Sequence, residues 1–339
     1  MKKVSVILVN WNGLHYLKKC LPTLTKSSYS NYEIIVTDNA SSDGSTSYLT
    51  KYYPKVKIVR NKENLGFAGG NNEAMKEVTG EYILLLNNDT IVTKDLIKNL
   101  VERIEEDKSI GVVQSKILSM DNSKRLDSVG AFLTNTGFLY HYGYYQYDKK
   151  IFDKTINLYS AKGAGMLIRK NLIDKLGLFD DTFFAYFEET DFCHRVWLAG
   201  YKIVYAPKAV LYHKIGGTSN KMNNAFIQYH SFKNRIRSYI KNLGTEEMIK
   251  ILPLHILLCE AAGISFIFKK RFDLFIAINK AIYWNIIHLD ETLKLRHVIQ
   301  YKYRKVSDEE IMPLLKRKGS LKYYYYLFAK NLVGYKETF

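Results

Sequence analysis

Tyr82-Ile83-Leu84-Leu85-Leu86-Asn87-Asn88-Asp89 is the stretch that decides the fold. Five apolar residues in a row read as a strand buried on both faces, and the run breaks into a polar tip with a single carboxylate. Two earlier runs share this grammar. Val4–Val9 is nearly all β-branched and apolar and ends in Asn10-Trp11-Asn12, while Glu33–Thr37 ends in Asp38-Asn39. Val56–Val59 reads as a further strand. Between them, Leu14, Leu17, Leu21 and Leu24 keep helical spacing despite Pro22, and Asn64–Asn72 is a glycine-rich turn that opens another helix. Strand alternating with helix gives an α/β fold with a mostly parallel, doubly wound sheet. Ligands of such sheets bind beyond the carboxyl ends of the strands, where all three polar tips fall.

The chain has 339 residues, 47% of them hydrophobic, with 5 prolines, which excludes a disordered protein. Cys20, Cys193 and Cys259 have no paired spacing, which argues against a disulfide framework or a zinc site and fits a reducing cytosol. The first apolar run stops at Asn10, too soon for a signal peptide. The net charge of +17 is uneven: residues 216–339 hold 21 basic and 10 acidic side chains, +11 of the total. A basic segment seeks phosphates, on nucleic acid or on an anionic membrane, unless it is simply a solvated surface.

Residues 110–215 read as mixed strands and loops. The stretch 126–160, rich in Tyr, Gly and Phe, reads as an excursion facing a substrate, and Lys162–Arg169 returns to strand character. From about residue 218 the pattern is helical. The expected division is therefore 1–217 and a basic, amphipathic helical region, 218–339. Residues 251–268 are strongly apolar but contain His255 and Glu260, at the short limit for a membrane span. Phe272, Phe275, Ile276, Ile282, Tyr283 and Ile286 form an apolar stripe at helical spacing. With Lys269-Lys270-Arg271 and Lys316-Arg317-Lys318 alongside, this is the grammar of helices lying in a membrane interface; the alternative is packing onto the first domain.

Several residues carry chemistry. Asp89 at a strand end suits a hard divalent cation completed by substrate phosphates, or else caps a helix together with Thr90 or Thr93. His213 ends another strand-like run and is either a metal ligand or a hydrogen-bonded buried histidine. Glu188, Glu189 and Asp191 crowd charge among aromatics, which raises a carboxylate toward general-base range; they equally suit a helix N-terminus. Trp11 is placed to stack on a nucleobase or to pack in the core. Asp38 is placed to accept from a base or ribose or to cap a turn.

In their order along residues 3–215 these segments resemble the family 2 glycosyltransferases with a GT-A fold, in the rhamnosyltransferase-like and galactofuranosyltransferase-like branch. The segments are VSVILVNWNG (4–13), IIVTDNASSDGS (34–45), NLGFAGGNN (64–72), YILLLNNDTIV (82–92), GAGMLIR (163–169), GLFDDTFFAYFEETDFCHR (177–195) and GYKIVYAPKAVLYHK (200–214). The resemblance implies a nucleotide-diphospho-sugar donor, a divalent metal (Mg²⁺ or Mn²⁺) and inversion at the anomeric carbon. It places Trp11, Asp38 and Asn39 by the nucleoside and Asn64, Gly66, Phe67 and Asn71 by the donor. Asn87-Asn88-Asp89 stands where the family keeps an acidic metal-binding triplet, so Asp89 carries its only charge, and His213 matches a metal-ligating histidine of some relatives. Glu189 stands at the catalytic base, usually Asp, with Glu188 and Asp191 as candidates beside it. A polyprenyl-diphosphate-linked glycan acceptor, an anionic membrane surface and a cytoplasmic, peripheral location at the inner face of the plasma membrane are implied as well. The rival readings are a polyprenyl-phosphate glycosyl transferase and a non-catalytic glycan- or lipid-binding protein on the same fold. No nucleic-acid motif accompanies the basic charge.

Overall fold

The computed structural model describes residues 1–217, 222–328, 330 and 332–336. Its strands are β1 (Val4–Asn10), β2 (Tyr32–Asn39), β3 (Lys57–Asn61), β4 (Tyr82–Leu86), β5 (Thr90–Val92), β6 (Ile110–Ser119), β7 (Leu126–Ser128), β8 (Gly130–Leu133), β9 (Leu139–Tyr142), β10 (Gly165–Arg169) and β11 (Lys202–His213). One sheet runs in the order β3-β2-β1-β4-β10-β6-β11-β5, with β7 beside β6, while β8 and β9 form a separate hairpin. β3, β2, β1 and β4 are parallel, as the strand–helix alternation requires. The sheet is mixed beyond β4. β10 runs antiparallel to both its neighbours, and β5 lies antiparallel to β11 at the edge. The period-2 pattern of a strand records which faces are buried but not its direction, so these reversals have no signature in the sequence.

Helices α1 (Leu14–Leu24), α2 (Ser45–Tyr52), α3 (Gly66–Ala74), α4 (Leu96–Glu105), α5 (Lys170–Leu176) and α6 (Glu188–Leu198) cover the sheet. Val4, Val6 and Leu8 point to one face, packed with Leu17 and Leu21 of α1 and Leu100 of α4. Ile7 and Ile35 point to the other, with Ala68 of α3, Leu172 of α5 and Phe192 of α6. Both faces of the central strands are thus buried, which is why they read as unbroken apolar runs.

The C-terminal part holds α7 (Asn224–Asn242), α8 (Thr245–Phe268), α9 (Phe272–Ile287), α10 (Leu289–Val298), α11 (Asp308–Leu315) and α12 (Leu321–Phe328). The boundary expected at 217/218 adjoins residues 218–221, which lie outside the described residues. Buried ion pairs bind α7 to the sheet domain. Asp180 takes Arg237 at 2.9 Å and Lys241 at 2.5 Å, and Asp191 takes Arg195 at 3.1 Å and Lys241 at 3.2 Å. Burial alone would raise these carboxylates, but the surrounding cations outweigh it and hold both below the usual range.

α8 is 24 residues long and contains an 18-residue window of mean hydropathy 2.0, long and apolar enough to cross a membrane by length and composition. It nevertheless divides into two faces. Ile251, His255, Cys259 and Gly263, four residues apart, are buried, and His255 Nδ1 meets the Thr136 carbonyl at 3.0 Å. Leu257, Ile264 and Phe268 are exposed. The α9 stripe behaves likewise. Leu274, Ala277, Ile278 and Ala281 are buried, while Phe272, Ile276, Tyr283 and Ile286 of the expected stripe are exposed. Packing onto the first domain therefore does not account for that stripe.

Candidate active site

Side chains lace the carboxyl ends of β1, β2 and β4 together. Asn10 donates through Nδ2 to Asp38 at 3.0 Å, and its Oδ1 accepts from Asn88 at 2.8 Å. A Cβ at Gly13 would overlap both Asn10 and Asn88, so only glycine lets the chain leave β1 here. Asn39 accepts from Asn61 at 2.7 Å and donates to the Gly66 carbonyl at 2.9 Å, tying β2 to the start of α3. Asn64 Oδ1 accepts from the Gly66 amide at 3.0 Å. Gly66 has φ +71°, and a Cβ on it would drive into the Phe184 carbonyl.

A cavity of about 900 Å³ opens in front of these ends. Trp11, Asn39, Asn64, Gly66, Phe67, Asn88 and Asp89 line it, and so do Glu188, Glu189 and His213 from distant parts of the chain. Three expected site residues do not reach it. Asp38 spends its oxygens on Asn10 and on the Ser41 amide at 3.0 Å, so it braces a turn. Asn71 is buried and donates back to the Phe67 carbonyl at 2.8 Å within α3. Asp191 is fully buried and clamped by Arg195, Lys241 and the Asn242 amide, so it is no candidate for a solvent-facing base.

Asp89 does not cap a helix; it sits in the turn between β4 and β5. Its Oδ1 is buried, accepts no hydrogen bond, and lies 3.2 Å from His213 Nε2. The other ring nitrogen, Nδ1, lies 2.7 Å from Asp127, which also takes Lys162 at 2.7 Å. Burial opposes protonation of His213, but Asp127 and Asp89 outweigh it and raise the imidazole's pKa. Burial likewise opposes ionisation of Asp127, yet Lys162 and His213 hold its carboxyl well down. With Nδ1 engaged by Asp127, Nε2 meets the Asn87 side-chain amide at 3.3 Å and faces Asp89. This is how a carboxylate orients a metal-binding histidine. An orphaned buried carboxylate oxygen beside an oriented imidazole fits a divalent cation whose shell a substrate completes. Among the described residues, no group of three or more His, Cys, Asp or Glu is placed to hold a metal ion by itself.

Glu188 and Glu189 open α6. The turn before them is strained: Tyr186 has φ +72° and Phe187 φ +75°, values that side chains rarely adopt. Asn234 of α7, fully buried, holds that turn by donating to the carbonyls of Ala185 at 3.0 Å and Tyr186 at 2.7 Å. Glu188 is 3% exposed, and its Oε2 has no partner. Burial, and Glu189 beside it, push its carboxyl well above the usual range. Glu189 is largely buried and accepts from the Gly163 amide at 3.1 Å. Burial raises its pKa too, partly offset by that hydrogen bond and by Lys162. A largely buried carboxylate that lines the cavity and has a raised pKa is suited to take a proton from a bound hydroxyl.

Asp127, Lys162 and Asn234 belong to this site and were not singled out from the sequence. Asp127 lies inside the 126–160 excursion, without a motif spacing. Asn234 sits on a helix of otherwise unremarkable polarity.

Residues 5–177 match the sequence model of the family described as Glycosyl transferase family 2. The low-salt glycan biosynthesis hexosyltransferase Agl10 of Haloferax volcanii is 22% identical over 80% of this chain and 86% of its own length. Of two further curated relatives the chain spans 24% and 44%. Among solved structures, TarS (residues 1–349) of S. aureus with UDP-GlcNAc superposes with TM-score 0.59 at 19% identity, over 88% of this chain and 86% of that one. The mannosyltransferase PcManGT of Pyrobaculum calidifontis, in complex with GDP-Man and Mn²⁺, gives TM-score 0.53 at 16% identity, over 89% and 81%.

Proposed function

The chain belongs to glycosyl transferase family 2 and has the GT-A fold, and from that premise we propose that it moves a sugar from a nucleotide-diphospho-sugar to a hydroxyl of a glycan acceptor, with inversion at the anomeric carbon. One observation carries the reading: the largely buried Glu189 carboxylate and the Asp89–His213 pair face the same cavity.

In this reading Trp11, Asn39, Asn64, Gly66, Phe67 and Asn88 receive the donor at the strand ends. Asp89 and His213 would hold Mg²⁺ or Mn²⁺, which when bound would neutralise the charge that grows on the leaving diphosphate. Glu189 accepts the proton of the acceptor hydroxyl while that oxygen forms its bond to the anomeric carbon. The bond to the diphosphate breaks on the opposite face, and the electron pair leaves with the nucleotide. Asp127 keeps the tautomer of His213, and Asn234 keeps the turn that aims Glu189. The reported complexes of the structural neighbours with UDP-GlcNAc and with GDP-Man and Mn²⁺ support this donor class and metal by analogy.

The acceptor we propose is lipid-linked, of the polyprenyl-diphosphate kind, in cell-surface polysaccharide or glycoconjugate assembly. Residues 1–217 then form the transferase unit. Residues 218–339 lay the exposed faces of α8 and α9, with Lys269, Lys270 and Arg271 between them, on the anionic inner face of the plasma membrane. The test is thermal stabilisation by a panel of nucleoside diphosphates and nucleotide sugars with Mn²⁺, Mg²⁺ or chelator. The reading requires stabilisation by one nucleotide class that disappears on chelation.

A further inference from the structure

The cavity has a second cationic wall, away from the strand ends. Arg235 of α7 lines it between the β8–β9 hairpin and the start of α6. Its guanidinium lies over three rings, 5.0 Å from Phe138, 5.3 Å from Phe187 and 5.6 Å from Phe232. Among the described residues it makes no ion pair. Its contact with Ser231 is long, at 3.3 Å, and its buried Nε has no hydrogen-bond partner. The other large cations of α7 are all used: Arg237 and Lys241 by carboxylates, and Lys233 by the Thr182 carbonyl. A guanidinium partly withdrawn from water, with no ion-pair partner among the described residues, favours an incoming anion.

Its surroundings favour an incoming anion. Lys330 lines the same cavity. His141, on the hairpin wall of the same cavity, brings no negative charge to offset these cations. Phe187, on which Arg235 lies, immediately precedes Glu188 and Glu189. Asn39, Asn64 and Trp11 belong to the strand ends instead. The unpaired cation therefore stands on the Glu188–Glu189 side of the cavity, away from the strand ends.

We infer that Arg235 binds an oxyanion, phosphate or carboxylate, carried by the acceptor. The planar guanidinium is preorganised on its aromatic bed and suited to a two-point grip on such a group. This rests on the transferase reading and deepens it, because it gives the acceptor a charge and a point of attachment.

The test compares the full-length protein with Arg235→Met and Arg235→Lys. Melting temperature is measured with inorganic phosphate, with acetate and with chloride at equal ionic strength, once without nucleotide and once with Mn²⁺ and saturating UDP or GDP so that the diphosphate site is filled. Phosphate, acetate or both should raise the Tm of the wild type by on the order of 2 °C, and that of Arg235→Lys by less. Arg235→Met should show no anion-specific rise. In chloride, Arg235→Met should melt no lower than the wild type, because an uncompensated charge has been removed. Whichever anion acts identifies the oxyanion. Equal anion effects in wild type and Arg235→Met, or none in the wild type, would overturn the proposal. So would a lower Tm of Arg235→Met in chloride, which would assign Arg235 to packing alone; Arg235→Gln replaces it in every arm if the Met variant does not fold. Failure of both nucleotides to stabilise the protein would instead count against the donor site, since the anion comparison is also read without nucleotide.

Discussion

Asn234 and Tyr186 are joined by a 2.7 Å hydrogen bond from the side-chain amide of α7 to a carbonyl in the left-handed turn that precedes Glu188. A helix of the C-terminal region thus holds the backbone that aims a candidate base of the sheet domain. Replacing Asn234 with Ala leaves two buried carbonyls without donors. The expected cost is about 1–3 kcal/mol of stability. Transfer should fall by more than nucleotide affinity does, since the nucleotide side of the cavity lies elsewhere. Denaturant unfolding and the ratio of kcat to donor Kd check this.

The link between His213 and Asp127 gives a second expectation. Asp127→Asn keeps the shape but removes the charge that sets the imidazole, so affinity for Mn²⁺ should fall about 10- to 100-fold. Titrating the metal against nucleotide-dependent Tm measures it. Unchanged metal affinity would detach His213 from the metal.

Glu188 gives a pH signature. Its carboxyl is favoured protonated in the folded state, so the stability this group contributes is present at low pH and is lost as pH rises through its raised folded pKa. Gln has the same shape and no charge to bury. Glu188→Gln should therefore raise Tm relative to wild type, with the gap widening from acid toward neutral pH. A gap that is constant with pH would mean that Glu188 is not strained by its charge.

The exposed stripe on α9 makes a fourth. Ile276 and Ile286 are 49% and 63% exposed, so charge there disturbs no core. The double variant Ile276→Glu, Ile286→Glu should keep the wild-type Tm while binding to anionic liposomes, read by flotation, drops by about 10- to 100-fold. Equal flotation of the variant would remove the membrane from the account.

Much of this was legible in the sequence because burial on two faces leaves unbroken apolar runs, and those runs end in the polar tips that build the site. Val4–Val9 and Tyr82–Leu86 became β1 and β4, and Asn10 and Asn88 met beyond them. Asp38 and Asn71 lie off the cavity for a common reason: a polar residue near a strand end also serves to brace the loop beside it. Asp191 looked equivalent to Glu188 and Glu189 in a row of acids. Two residues beyond Glu189, about 200° around the helix, it faces Arg195 and Lys241 instead, which the linear spacing of three acids does not weigh. The reversed strands β5 and β10, the partnership of Asp127 with His213 across 86 residues and the grip of Asn234 depend on long-range topology. No local pattern encodes them.

The central claim is that Glu189 takes the acceptor proton, and Glu189→Gln tests it most directly. With the nucleotide sugar and acceptor pair that the wild type uses, transfer by the variant is measured alongside its affinity for the donor. The account predicts that kcat falls by about 10²- to 10⁴-fold with donor affinity nearly unchanged. Transfer at the wild-type rate by Glu189→Gln would contradict it, and would point to an acceptor, such as a phosphate, that needs no base.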